Sequence, residues 1–189
     1  NLDQKEFTLL SAGIKRDLER EGYVVELKIV FKGAYRCSIR ISHLLFEQGL
    51  SPHKNEIMMI QIDTVPQYFL YTPDKKILNR FDVFTQIFVT PLAILLSQKI
   101  AAALTRKTPK GRDFYDVTVL FSKTKPDYRY LHEKLAIASP EELKKRILAR
   151  CASINFSALA KDVHAFLVDP TDVKKITLFE EYIKGMSET

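Results

Sequence analysis

The first residue suited to chemistry is an aspartate at the end of an apolar segment. Asp63 closes the run of residues 56–63 (EIMMIQID), and residues 64–66 (TVP) end the run. A carboxylate at the end of a strand is held rigidly, and in a two-metal phosphoryl-transfer site such a group binds magnesium. The alternative is that Asp63 only accepts hydrogen bonds from the following turn, which is common for terminal aspartates.

The second candidate segment is a predicted helix with two cations on one face. Lys99 lies among apolar and small residues, and Arg106 follows seven residues later, two helical turns along the same face. A lysine in such surroundings suits a fixed point charge for triphosphate oxygens. The alternative is a surface lysine whose stem lies along apolar neighbours while its ammonium reaches water.

The third segment is residues 110–116 (KGRDFYD). Asp113 and Asp116 are three residues apart at a predicted helix start and therefore share a face, and Arg112 lies beside them. Acidic residues in a first helical turn also simply complement the helix dipole. That alternative does not account for the basic cluster that comes directly before this segment.

Other kinds of site lack support in the sequence. The four histidines show no spacing typical of metal ligands, and neither cysteine has a histidine or an acid nearby. No Walker-type or Gly-x-Gly-x-x-Gly loop occurs, so the sequence favours neither a P-loop nor a Rossmann nucleotide site.

The elements that position these residues are predicted from periodicity and end signals. A helix begins within residues 2–6 and stops at Gly22. Residues 23–31 and 35–41 form an antiparallel hairpin, residues 56–63 a buried strand and residues 83–88 a short strand. Thr90 and Pro91 begin a helix to about Arg106, with the Thr90 hydroxyl as its cap. Further helices are predicted over 113–121, 139–152, 157–168 and 172–184. We therefore expect an α+β fold with a sheet-containing domain at 1–122 and a helical region at 123–189.

Charge and cysteine content narrow the class of protein. The chain of 189 residues has 29 Lys and Arg against 23 Asp and Glu, a net charge of +6, which favours polyanionic partners such as nucleic acid or nucleotides. Two isolated cysteines indicate a reducing compartment, and no apolar run is long enough to cross a bilayer. We expect a cytoplasmic protein.

The order of the three segments resembles the AbiEii toxin family of nucleotidyltransferases, the toxin half of abortive-infection toxin–antitoxin pairs. The resemblance rests on Asp63, on residues 98–106 (QKIAAALTR) and on residues 110–116, and it covers about residues 1–122. It implies a small mixed sheet with helices, followed by a helical region. The family's first motif, a Gly-Ser followed by two metal-binding aspartates one residue apart, is absent from these 189 residues. On that reading the fold is N-terminally incomplete and this stretch of chain is inactive by itself.

The resemblance also implies an activity and a set of roles. The reaction would transfer a nucleotide from a nucleoside triphosphate to an acceptor hydroxyl, with tRNA as the acceptor and Mg²⁺ as cofactor. Asp63 would bind the metal and Lys99 the nucleotide, and Asp113 or Asp116 would belong to the last motif. Arg106 and Arg112 would add nucleotide contacts. We expect Asp63, Lys99 and one of these aspartates within about 10 Å of one another. The alternative is a non-enzymatic module that binds RNA or an antitoxin.

Overall fold

A computed structural model describes residues 2–186, and the chain divides into two compact units between Leu70 and Tyr71. The first unit is a helix on a three-stranded antiparallel sheet of order β1-β2-β3. The predicted first helix and hairpin are confirmed, and a short helix lies between the second and third strands. Its elements are α1 (Gln4–Arg20), β1 (Val24–Lys32), β2 (Ala34–Ser42), α2 (Leu44–Glu47) and β3 (Ile57–Thr64).

The core of the first unit lies between α1 and the hairpin. Phe7 from α1 and the alternate residues Val25, Cys37, Ile39 and Ile41 are buried together. Their period of two on the strands matches the alternation that predicted the hairpin. Asp3 and Glu6 form a reciprocal capping box at the start of α1, which satisfies two backbone N–H groups there.

The prediction of a buried strand at 56–63 is wrong in its burial. Residues 57–64 do form β3, but Met59 is 58% exposed and Ile60 is 40% exposed. The physical reason is that, within residues 2–186, β3 is hydrogen-bonded only to β2, whereas α1 packs on β1 and β2. A continuous apolar run does not reveal whether both faces of its strand are covered.

The second unit holds a two-stranded ribbon followed by helices. Helices predicted from end signals are confirmed with bounds shifted by a few residues, whereas β4 and α5 were not predicted. The last predicted helix is broken, since it begins with a 3₁₀ turn and then divides. The elements are β4 (Asp74–Arg80), β5 (Val83–Val89), α3 (Leu92–Thr105), α4 (Gly111–Phe121), α5 (Tyr128–Leu135), α6 (Pro140–Cys151), α7 (Phe156–His164), the 3₁₀ turn Pro170–Val173, α8 (Lys174–Thr177) and α9 (Phe179–Gly185).

The predicted cap of α3 is also wrong. Pro91 is the N-cap residue and no side chain caps the helix; the Thr90 hydroxyl instead forms a hydrogen bond of 3.0 Å with the Tyr71 hydroxyl. Because Pro91 itself is the N-cap residue, Thr90 lies one residue before the position from which a side chain caps a helix.

The α+β class is confirmed. All strand pairs among residues 2–186 are antiparallel and lie in two sheets, whereas we expected one small mixed sheet. Tight turns join β1 to β2 and β4 to β5, and such turns allow only antiparallel pairing. The predicted division at residue 122 stays a prediction. Within the described residues, no helix has the length and apolar character needed to span a membrane.

Candidate active site

Lys99 and Asp116 face each other across the antiparallel helices α3 and α4. The Lys99 Nζ lies 2.6 Å from an Asp116 carboxylate oxygen, and the two side chains are 32% and 34% exposed. Lys99 lies among small and apolar residues in the sequence of α3, and Ile100 beside it is buried. The ammonium is therefore fixed in place and still reachable from solvent.

A second ion pair joins the same helices, closer to the loop that connects them. The Arg106 Nε lies 3.2 Å from a carboxylate oxygen of Asp113, which is only 1% exposed. Neither Asp113 oxygen accepts a hydrogen bond from the described residues, because the Arg106 N–H is not directed at the carboxylate. A buried carboxylate needs a compensating charge, and the Arg106 guanidinium supplies it.

The two pairs follow from the sequence spacing of the helices. Arg106 follows Lys99 by two turns on α3, and Asp113 and Asp116 share one face of α4, so that two cations meet two acids in reverse chain order. The predicted shared faces are confirmed by these contacts. Arg112, which directly precedes Asp113 in the sequence, is exposed and forms no ion pair within residues 2–186.

The start of α4 is held in place by close packing against α7. A Cβ atom on Gly111 would lie 2.4 Å from the Leu159 carbonyl oxygen and 2.6 Å from a Val163 methyl group. Only glycine permits this approach, so the first residue of α4 fixes where the following aspartates lie. The feature of the sequence that indicates this close packing is a glycine at a helix start, where residues with capping side chains are usual.

The C-terminal helices also hold the middle of α4. Phe114 packs edge-on against Phe156 and Phe179, with ring centroids 5.3 and 5.1 Å away. The Tyr115 hydroxyl donates a 2.8 Å hydrogen bond to Asp172. That bond and partial burial raise the pKa of Tyr115. The aromatic residues of the segment 111–116 are therefore structural contacts to the C-terminal region.

The end of α3 has a partner that sequence reasoning missed. The Arg150 guanidinium from α6 donates a 2.7 Å hydrogen bond to the Arg106 carbonyl and a longer one of 3.4 Å to the Ala103 carbonyl. Such a cation satisfies carbonyls left open at a helix C-terminus. Earlier in α3, the buried Ser97 hydroxyl accepts a 2.8 Å bond from the Asp127 N–H. No local pattern predicts these contacts, because their partners lie 30 to 47 residues away.

Asp63 lies in the first unit and has its own cationic partner. It is directly opposite Arg36 in the β2–β3 register, and the Arg36 Nε donates a 2.7 Å hydrogen bond to it. The Gln61 side-chain amide donates to the other carboxylate oxygen at 2.8 Å. The Arg36 hydrogen bond, with a smaller contribution from Gln61, lowers the pKa of Asp63. The expected convergence of Asp63 with Lys99 stays a prediction.

The carboxylates of the described residues are spread out, and those of Asp63 and Asp116 have partners within the chain. No group of three or more His, Cys, Asp or Glu side chains within residues 2–186 could hold a metal ion. Both oxygens of Asp63 accept hydrogen bonds from side-chain donors, and Asp116 is paired with Lys99. A divalent cation at either carboxylate would share that carboxylate with a side-chain donor.

A family model described as the nucleotidyl transferase AbiEii toxin of a type IV toxin–antitoxin system matches residues 3–177. No curated protein and no solved structure gives a significant match. The match extends beyond the 1–122 range that we expected, and it includes α7, which packs against the start of α4. Because it covers most of the chain, the protein belongs to the AbiEii family of nucleotidyltransferase toxins.

Proposed function

We propose that this protein transfers a nucleotide from a nucleoside triphosphate to an acceptor hydroxyl of tRNA, and that Lys99 meets the triphosphate. The observation that carries the proposal is a lysine held 2.6 Å from Asp116 and only one-third exposed. A preorganised charge in a partly water-excluded site stabilises developing negative charge more strongly than a mobile surface lysine does.

The chemistry that suits this arrangement is an in-line displacement at phosphorus. The acceptor oxygen forms a bond to the α-phosphorus, and the bond from that phosphorus to the bridging oxygen breaks. Pyrophosphate leaves with the bridging oxygen, and the hydroxyl proton passes to solvent. Lys99 neutralises charge on the phosphate oxygens and keeps the triphosphate aligned for this attack. Asp116 positions the ammonium before the nucleotide arrives.

Different roles are proposed for the remaining candidates on α3 and α4. Asp113 is buried, so we assign it the positioning of Arg106 and not a contact with substrate. Arg106 is 41% exposed and Arg112 is exposed, and both can reach phosphate oxygens. A guanidinium suits this task because its donors match the geometry of phosphate oxygens.

Magnesium and the metal-binding role of Asp63 remain part of the proposal through the family resemblance. The basic character of the chain, with a net charge of +6, supports an RNA acceptor. The toxin–antitoxin family supports a cognate antitoxin as a further partner.

The test is a transfer assay on the full-length gene product. The protein is incubated with each labelled nucleoside triphosphate, bulk tRNA and Mg²⁺, with and without a chelator. We expect label on tRNA with at least one triphosphate and none with the chelator. If no triphosphate gives transfer while the protein still binds RNA or its antitoxin, it is a binding module and not an enzyme.

A further inference from the structure

The β4–β5 ribbon, residues 74–89, is an isolated two-stranded element with two unlike faces. Its strands pair only with each other among residues 2–186. Leu78 and Ile87 on one face are half-buried, whereas Phe84 and Phe88 on the other are 75% and 67% exposed. We propose that this exposed face binds a single-stranded segment of the acceptor RNA, an inference that rests on the proposed function.

The exposed face carries aromatic, polar and aliphatic side chains. The register pairs Phe88 with Lys75 and Phe84 with Asn79, and between these pairs Gln86 is paired with Ile77, which is 57% exposed. The two rings are four residues apart on one strand, roughly 13 Å at the usual rise. Aromatic rings spaced along a flat strand can stack unpaired bases of one strand, and amide groups between them can bond to base edges or the backbone.

One cation lies on the exposed face, beside an aromatic ring. Lys75 is paired with Phe88, whereas Lys76 and Arg80 lie on the other face of the ribbon, paired with Ile87 and Val83. The Lys75 ammonium lies 5.9 Å from the centre of the Phe88 ring. Lysine is depleted at the cores of protein–protein interfaces, whereas lysine or arginine beside aromatic rings is typical of surfaces that bind single-stranded nucleic acid. The contact between Lys75 and Phe88 therefore favours RNA over a protein partner.

The turn of the ribbon holds a third aromatic side chain at its tip. Phe81 and Asp82 form a two-residue loop between the paired Arg80 and Val83, with φ of +49° and +61°. Both values lie in the left-handed region, where such loops prefer Asn and Gly and where a bulky residue is strained. Phe81 is 93% exposed, so no burial within the chain offsets that strain. A base stacked on the ring would give this residue a function.

The experiment measures binding of a labelled, unstructured RNA oligonucleotide to the full-length gene product by fluorescence anisotropy, without nucleotide. Phe84→Ala and Phe88→Ala should each weaken binding about 5-fold or more, the range for loss of one stacking ring. Phe166→Ala is the matched control, because Phe166 is 83% exposed elsewhere in the second unit. It should change affinity less than about 2-fold.

A second variant separates binding from folding. Phe81→Asn suits the left-handed turn and should keep or raise the melting temperature while RNA affinity falls. Unchanged RNA affinity in all three ribbon variants overturns the inference, and so does a wild-type protein that binds no RNA. If these variants bind RNA normally but lose a co-expressed antitoxin, the ribbon is a protein-docking surface and the inference is wrong.

The failure of this inference differs from the failure of the proposed function. Because the binding assay contains no nucleoside triphosphate, it does not depend on Lys99 or on catalysis. If the ribbon variants lose RNA affinity but the wild-type protein transfers no nucleotide, the proposed function is wrong and the inference stands. If the wild-type protein transfers nucleotide to tRNA but the ribbon variants bind RNA normally, the inference is wrong and the proposed function stands.

Discussion

Two ion pairs join the same two helices, and their burial differs. Lys99 and Asp116 are each about one-third exposed and 2.6 Å apart, whereas Asp113 is 1% exposed and 3.2 Å from Arg106. The reachable pair can exchange its contact for one with a substrate, because solvent already reaches both groups. The Asp113 carboxylate cannot meet a substrate without opening the helix packing. Two aspartates on one helix face therefore differ in burial, and burial limits which contacts each carboxylate can make.

The largest expected effect is on catalysis, from the reachable pair. In the full-length gene product, Lys99→Ala should lower the rate of nucleotide transfer about 100- to 1000-fold, roughly 3–4 kcal/mol, because a preorganised charge is lost. The melting temperature should hold, since alanine suits a helix at least as well as lysine. Lys107→Ala, in the loop after α3, should only weaken RNA binding mildly and in a salt-dependent way. Near-normal transfer by Lys99→Ala would make this lysine an ordinary surface residue.

The next effect is on stability, from the buried pair. Arg106→Gln removes the charge that compensates Asp113 and should lower the free energy of unfolding by about 1–3 kcal/mol. This is less than for a fully buried pair, because Arg106 is 41% exposed. Denaturant melts measure the loss. Adding Asp113→Asn should recover part of the lost stability, since the uncompensated charge is then gone. A double variant that loses more stability than the two single variants together would contradict the pairing.

A comparable loss is expected where α4 begins. Gly111→Ala places a methyl group 2.4 Å from the Leu159 carbonyl oxygen, so α4 or α7 must move. Overpacking of this kind costs about 1–3 kcal/mol, partly offset by the better helix propensity of alanine. Thermal melts check the effect, with Gly185→Ala as control because nothing lies within 4 Å of its added Cβ. Equal melting temperatures for the two variants would contradict the close packing of Gly111 against α7.

The smallest effect concerns the bond that ties α4 to the C-terminal region. Tyr115→Phe removes the hydrogen bond to Asp172 and should cost about 1 kcal/mol at neutral pH. Because the pKa of Tyr115 is raised in the folded protein, its contribution is full below the unfolded pKa of about 10 and is lost as pH rises through the folded pKa. Melting curves between pH 8 and about 11 should therefore converge for wild type and variant. A difference in stability between wild type and variant that grows with pH would contradict the raised pKa of Tyr115.

Local patterns predicted much of the fold, and long-range contacts set the rest. The hairpin and the helices α3 and α4 follow from periodicity and end signals within each segment. The burial of β3 was misjudged because covering a strand depends on where α1 packs. β4 (DKKILNR) was missed because its polar sequence resembles a loop. A polar ribbon of this kind is recognised as a strand only through its partner.

The candidate site divides in the same way. Spacing alone put Lys99 with Arg106, and Asp113 with Asp116, on single helix faces. Which cation meets which acid depends on how the two helices pack, and the sequence left Asp113 and Asp116 as equal alternatives. The burial of Asp113 separates them. Arg150 could not be predicted because it reaches α3 from a helix 44 residues beyond Arg106.

The central claim is that Lys99 meets the triphosphate, and lysine protection tests it most directly. The full-length gene product is treated with a lysine-acylating reagent with and without saturating nucleoside triphosphate and Mg²⁺, and modification is measured for each lysine by peptide mass spectrometry. Lys99 is 32% exposed, so the reagent can reach it. We expect the triphosphate to suppress modification of Lys99 and to leave Lys107 unchanged. Unaltered modification of Lys99, with a different lysine protected, would contradict the assignment.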